Sequence, residues 1–392
     1  MTATKASSRP FMVSYYLADL NPHRDKSIGI SNYTFDLVRA VSELRQLRIH
    51  TLESRSSLHH PCADQRDCWP FRTDTVAKRM LIDAVAWVPL NAAPSEIIHF
   101  TKGLLPPTFL STKKIVVTIH DMILDHYQRT YPEERSALEW RYWTRVLERT
   151  LLRADAIITV SEHARAQIEA FAHAHKLPLP SIFVTYEGSR FESYAGTEPL
   201  ASRRPVFVAF GSPHPHKRTQ RLAELWCGRQ AARDHTLQLI GNVPKAVTAL
   251  AAQRDDIECL GSCEENALIG RLRATRGLLV SSEIEGFGLP VLEAAYLGTP
   301  SVVVRGTSCH ELLDGYDRLT FDLDSQRSFD QALQALLDLP ATWSHDAPRR
   351  MLERFRWSKV AKATMNVYEQ VLLEPARTHP AREPPRARKL DE

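Results

Sequence analysis

The sequence predicts an α/β protein made of two parallel-sheet units, and three observations carry that reading. First, the apolar run Gly277-Leu-Leu-Val280 is followed by a loop from Ser281 to Gly288, a helix from Pro290 to Leu297 and a second apolar run, Ser301-Val-Val-Val304. Strand, loop, helix, strand is one βαβ unit of a parallel sheet. Second, short apolar runs alternate with helical stretches through both halves of the chain. Third, residues 189–204 are polar and irregular and divide that pattern, and 392 residues suffice for about two domains. The expected division is 10–190, 203–354, a closing helix over 355–374, and a Pro-, Arg- and Glu-rich tail, 375–392, expected to be disordered.

In chain order, Phe11–Leu17 reads as the first strand. Asp19 to Ile30 reads as a loop, with Ser31 capping a helix over Asn32–Leu44. Ile49–Leu52 is a second strand, Ser54–Phe71 a polar loop or insertion, and Val76–Trp87 a helix. Glu96–Phe100 and Lys114–Ile119 are strands, the latter ending in His120-Asp121. Glu134–Leu152 is a long helix mixing Trp140, Tyr142 and Trp143 with arginines. Ala156–Ser161 is a strand closed by a helix-capping serine, and Ile182–Gly188 the last strand of the first half. The second half opens with the strand Val206–Gly211 and the basic loop His214 to Arg218. Further strands follow at Thr236–Gly241 and Ile257–Gly261, with a helix over Leu268–Arg273.

Bulk properties narrow the function. Hydrophobic content of 43% and charged content of 24% are ordinary for a globular protein, and a net charge of +4 is too small to argue for nucleic acid. The six cysteines form no C-x-x-C pair, so reduced structural thiols are expected. The first ten residues lack the apolar core of a signal peptide, and no apolar run approaches a membrane span. A cytosolic protein is expected. No G-x-G-x-x-G follows a strand, which disfavours a dehydrogenase, and no G-K-[ST] is present for a phosphate-binding ATPase loop. Asp322-Leu-Asp324 lies too late in the chain for a D-x-D metal motif. No cofactor and no essential metal are expected.

The chemistry concentrates in Glu285-Gly-Phe-Gly-Leu-Pro-Val-Leu-Glu293. Such a loop lies at the carboxyl edge of the sheet, where open α/β folds bind ligands. Gly286 and Gly288 let backbone approach a ligand closely, and the following helix N-terminus favours an anion such as phosphate. Glu285 and Glu293 are good acceptors for sugar hydroxyls. A plainer reading makes them a turn residue and a first-turn helix residue favoured by the dipole.

The whole string resembles the E-x7-E signature of the retaining GT-B glycosyltransferases of family 4 (glycosyltransferase group 1). Other segments share the resemblance: Gly29-Ile-Ser-Asn-Tyr-Thr, Val116-Val-Thr-Ile-His-Asp121, Ala154-Asp-Ala-Ile-Ile-Thr-Val-Ser-Glu162, the Gly211 to Lys217 loop, and Thr307-Ser-Cys-His-Glu311. It spans about Gly29 to Leu372. It implies two facing Rossmann-like domains with a cleft between them and a closing helix that crosses back to the first. It implies catalytic roles for His120, Lys217 and Glu285. Gly29, Gly211, Arg218, Gly286, Phe287, Gly288, Leu289 and Glu293 would bind the donor. His216 stands where the family has arginine, and Arg218 where it has a small polar residue.

The resemblance therefore implies transfer of a hexose from a nucleotide diphosphate sugar, mannose from GDP-mannose first, to a glycan or lipid-linked acceptor in cell-surface polysaccharide synthesis. Alternatives are a UDP- or dTDP-sugar donor, an epimerase of the same fold, or a nucleotide-sugar-binding protein without turnover. The arginines of the 134–152 helix offer peripheral contact with an anionic membrane. Packing of its aromatics into the core is the competing reading.

Overall fold

The structure, a computed structural model, describes residues 10–20, 28–57, 59–73, 75–196, 199–313 and 315–375. The first half contains β1 (Phe11–Tyr16), α1 (Ile28–Ser42), β2 (Leu47–Ser54), β3 (Gln65–Trp69), α2 (Val76–Val85), α3 (Trp87–Ala92), β4 (Ile97–Phe100), β5 (Lys114–Ile119), α4 (Ile123–Thr130), α5 (Ala137–Arg153), β6 (Ala156–Thr159), α6 (Glu162–Ala174) and β7 (Ser181–Val184). The second contains β8 (Arg204–Gly211), α7 (Thr219–Gly228), β9 (Thr236–Gly241), α8 (Lys245–Ala251), β10 (Ile257–Gly261), α9 (Glu265–Ala274), β11 (Thr275–Val280), α10 (Leu289–Tyr296), β12 (Ser301–Val304), α11 (Ser308–Glu311), β13 (Thr320–Phe321), α12 (Gln326–Leu337), α13 (Trp343–Phe355) and α14 (Trp357–Leu373).

The strands form two sheets. The first has seven in the order β3-β2-β1-β4-β5-β6-β7, the second six in the order β10-β9-β8-β11-β12-β13. Every pairing in both is parallel. In each sheet the order reverses once, between β1 and β4 and between β8 and β11. Those are the switch points outside which doubly wound sheets bind ligands.

Because side chains alternate across a strand, each sheet face needs its own cover. On the first sheet Val13, Tyr15, Ile97, Val116 and Ile158 share a core with Leu37 and Val41 of α1 and with Val360 and Val367 of α14. Tyr16, Ile98, Phe100, Val117 and Ile157 face the other way, onto Ile82, Leu90, Leu151 and Ile168. The closing helix α14 thus returns to the first sheet and packs on α1, β5 and β6. Its Tyr368 hydroxyl bonds His99 Nδ1 (2.6 Å) and the Tyr15 hydroxyl (2.8 Å) in the buried interior.

Several expectations need correction. α1 begins at Ile28, so Gly29 lies in its first turn and not in a loop, and Ser31 is a buried residue within the helix whose hydroxyl has no partner, not its cap. The 54–71 segment is not wholly loop: Gln65–Trp69 pairs with β2 as an edge strand. Its half-buried, polar alternation gave no apolar run to mark it. The helix α4 buries none of its residues, so no apolar stripe marks its span in the sequence. The long helix starts at Ala137, with Ser136 and Glu139 forming a capping box. Residues over 355–374 form α14 only from Trp357, since Phe355 still ends α13. Residues 376–392 of the tail lie outside the described residues.

Candidate active site

The loops after β5, β6, β8 and β11 meet at one seam between the two sheets. Gly286 lies directly against the first half: a Cβ built on it would stand 2.5 Å from the His120 carbonyl oxygen. The Ser161 hydroxyl, which caps α6, donates to the Gly286 carbonyl at 2.6 Å. Glu311 reaches across to the same helix end, accepting from the backbone N–H of Glu162 and His163. A carboxylate there is favoured by the free N–H groups and the dipole.

Glu285 is ion-paired with Lys217, so the acidic loop after β11 and the basic loop after β8 face each other. Ser281 donates to the Lys217 carbonyl and Ser308 to the Glu285 carbonyl, which fixes both chain segments. Gly288 caps α10 at φ 104°, a left-handed conformation that glycine adopts without strain, and the buried Cys309 leaves no room there for a side chain. Phe287 is buried and its ring stands near Tyr186 and Phe355, while Leu289 opens α10 half-buried. Gly211 ends β8 against Val243, whose Cγ1 would lie 2.3 Å from an added Cβ.

His120 is partly buried at the seam. Its Nε2 donates to the Thr101 carbonyl (2.9 Å), and the Tyr33 ring packs edge-on against it at 4.6 Å. Burial lowers its pKa to about 4, so the ring is neutral at physiological pH and Nδ1 is left as an acceptor. The Asp121 carboxylate accepts from the Ile123 N–H and begins α4.

Glu293 sits one turn inside α10, where the Ser189 hydroxyl donates to it at 3.0 Å. Desolvation raises its pKa to about 7. The neighbouring Glu187 carboxyl is buried and raised well above the usual range by desolvation and by Glu293. The two carboxylates thus form a partly protonated acidic corner at the crossing point between the halves.

The structure separates the candidates. His120, Lys217, Glu285, Gly286 and Gly288 converge on the seam. Arg218 takes a left-handed backbone (φ 50°) and faces Glu283 (3.7 Å) and the Tyr131 hydroxyl (3.5 Å), so a carboxylate already neighbours it. His216 is buried, paired with the Tyr127 hydroxyl (2.7 Å) and lowered to about 4 by burial and Lys217. It is neutral and does not replace the family's arginine as a cation. Gly29 has open space on its Cβ side.

Sequence reasoning missed the aromatic bridge from α4. Glu283 accepts from Tyr131 and pairs with His126 Nε2 (3.1 Å), joining α4 and the segment after it to the loop after β11. These are long-range pairings of common residues, and nothing in their local spacing marks them. Among the described residues no group of three metal-ligating side chains occurs.

Residues 204–339 match the family model described as Glycosyl transferases group 1. The O-antigen chain mannosyltransferase B of Escherichia coli is 25% identical over 312 residues, covering 72% of this chain and 76% of that protein. Sucrose-phosphate synthase from Thermosynechococcus elongatus superposes with a TM-score of 0.71 at 16% identity, covering 93% of this chain and 99% of that one. HepE of Anabaena, solved with UDP and glucose, gives 0.64 at 15% identity, covering 92% and 100%. Two parallel sheets facing across a seam, with a closing helix returned to the first, make this a GT-B protein. Over residues 204–339 the chain is thus similar to the group 1 glycosyltransferases, and its relatives support glycosyl transfer as its activity.

Proposed function

We propose that the protein transfers a hexose from a nucleotide diphosphate sugar, with retention at the anomeric carbon, to a glycan or lipid-linked acceptor of a cell-surface polysaccharide. Mannose from GDP-mannose is the first donor to test, because the E. coli relative is an O-antigen chain mannosyltransferase. The observation that carries the reading is the Lys217–Glu285 pair set opposite a neutral His120.

The geometry supports a division of labour. Lys217 is a cation at the carboxyl edge of the second sheet, placed to neutralise charge on a departing diphosphate. Releasing Glu285 from it would free a carboxylate for sugar hydroxyls. His120 Nδ1 accepts a hydroxyl proton in a hydrogen bond without carrying charge. The departing phosphate oxygen takes the acceptor proton, which keeps attack and departure on one face. No cofactor or metal is part of this reading.

The acceptor side extends the proposal to work at an inner membrane face. No described helix is long and apolar enough to cross a membrane. On α5 Trp140 is buried, while Arg141, Tyr142 and Arg145 are exposed, an arrangement that suits an anionic surface. Incubation with GDP-mannose, UDP-sugars and dTDP-sugars, followed by NMR of the product anomer, tests the function. Consumption of donor with no acceptor product indicates an epimerase, and stabilisation without turnover a binding protein.

A further inference from the structure

We infer that the groove between α4 and α6 seats the acceptor as a saccharide chain, with His163 at the end nearest the reacting sugar. The inference rests on the glycosyl-transfer reading above and adds where the second substrate lies. The groove has a volume of about 590 Å³. α4 supplies Asp125, Gln128 and Arg129 to it, and α6 with its cap supplies His163, Gln167 and His175.

Its position joins it to the reaction. α4 starts directly after His120-Asp121, and α6 starts directly after Ser161, which holds the Gly286 carbonyl. His163 also lines a second hollow, made with Gly306, Thr307, His310 and Glu311 of the other half. The path therefore begins at the seam where Glu311 meets the start of α6 and runs outward over the first half. A chain lying in it has one end at the donor loops and the other in solvent.

Its chemistry fits a neutral polyhydroxylated ligand. Asp125 and Arg129 pair with each other (2.7 Å), so the groove carries no strong net charge to select an anion or a cation. Carboxylate, carboxamide, guanidinium and imidazole groups together offer both donors and acceptors to hydroxyls. Gln167 Oε1 is buried without a hydrogen-bond partner, an acceptor that a sugar hydroxyl would satisfy. Ala170, exposed on α6, keeps the floor open, and the exposed His175 ring, stacked on the buried Phe171 (4.1 Å, 22°), gives a flat face for a sugar's C–H groups.

The test uses the full chain and reads binding directly. Mannotriose, maltotriose and galactotriose are titrated by saturation-transfer NMR and calorimetry into the wild type, Ala170→Trp and Gln167→Ala. Ala170 is exposed, so a tryptophan there fills the groove without entering the core, and an unchanged thermal midpoint verifies the fold. At least one trisaccharide should bind, with affinity falling about tenfold or more in Ala170→Trp and severalfold in Gln167→Ala. Equal affinity in Ala170→Trp, or no trisaccharide bound by the wild type, overturns the groove assignment. Failure of every nucleotide sugar to be consumed, with the trisaccharide still lost in Ala170→Trp, overturns the glycosyl-transfer reading and leaves the groove standing.

Discussion

Replacing Gly286 with alanine tests whether the seam itself is the catalytic geometry. Gly286 does not have a positive φ, so alanine brings no backbone strain and its effect is purely one of space. The new Cβ would lie 2.5 Å from the His120 carbonyl oxygen and 3.1 Å from its carbon, where ordinary contact begins at 3.4 Å. Both neighbours are backbone and cannot swing aside, so the loop and His120 must part by about 1 Å, and a misplacement of that size costs about 100-fold in rate. That corresponds to about 2.7 kcal/mol of barrier. Steady-state kcat for donor turnover, with the thermal midpoint as a folding check, gives the readout. Gly270→Ala is the control, since no atom lies within 4 Å of its added Cβ. A Gly286→Ala enzyme within about threefold of wild-type kcat would refute the reasoning, because it would mean that closure at this point is not needed for transfer.

Other outcomes follow from the same geometry. Lys217→Ala should lower kcat by about tenfold or more through loss of charge stabilisation, and unchanged kcat would remove Lys217 from the mechanism. His120 and His216 are both lowered to about 4, so the folded protein binds fewer protons than the unfolded chain between pH 4 and 6.5. Stability contributed by keeping them neutral is present above pH 6.5 and is lost as pH falls through that window, by at most about 1.4 kcal/mol per unit and per group; thermal melts of wild type and His216→Asn should show a shallower acid slope in the variant. Glu293 is raised to about 7, so its ionisation penalises the folded state as pH rises from 4.5 through 7. Glu293→Gln should accordingly melt higher than wild type at pH 8 and show less advantage at pH 5. Flotation with anionic vesicles should show salt-sensitive binding that Arg141→Glu with Arg145→Glu weakens; no binding at low salt would favour a soluble acceptor.

The legible parts of the fold were those in which burial and period coincide. β1, β5, β6, β8, β9, β11 and β12 each carry a short run of buried apolar residues, as strands of a covered parallel sheet do, and each stood out in the sequence. Gly288 and Gly298 marked the ends of α10 because both need positive φ. What escaped notice was built from polar residues at edges and seams. β3 is an edge strand that needs only one neighbour, and α4 buries no residue because it lines the cleft. The site divided in the same way. Glu285, Lys217 and His120 follow strands at the carboxyl edge, a rule that local sequence obeys. Glu283 with Tyr131, Glu311 with the start of α6, and Ser189 with Glu293 pair residues more than 100 positions apart, and only the folded chain brings them together.

The most direct test of the account is the stereochemistry of one turnover. With GDP-mannose as donor and a mannose oligosaccharide as acceptor, proton NMR of the product should show a new α-linked mannose, the configuration held in the donor, with that signal lost in Lys217→Ala. A β-linked product would contradict retention. No consumption of any nucleotide sugar would contradict the proposed donor chemistry itself.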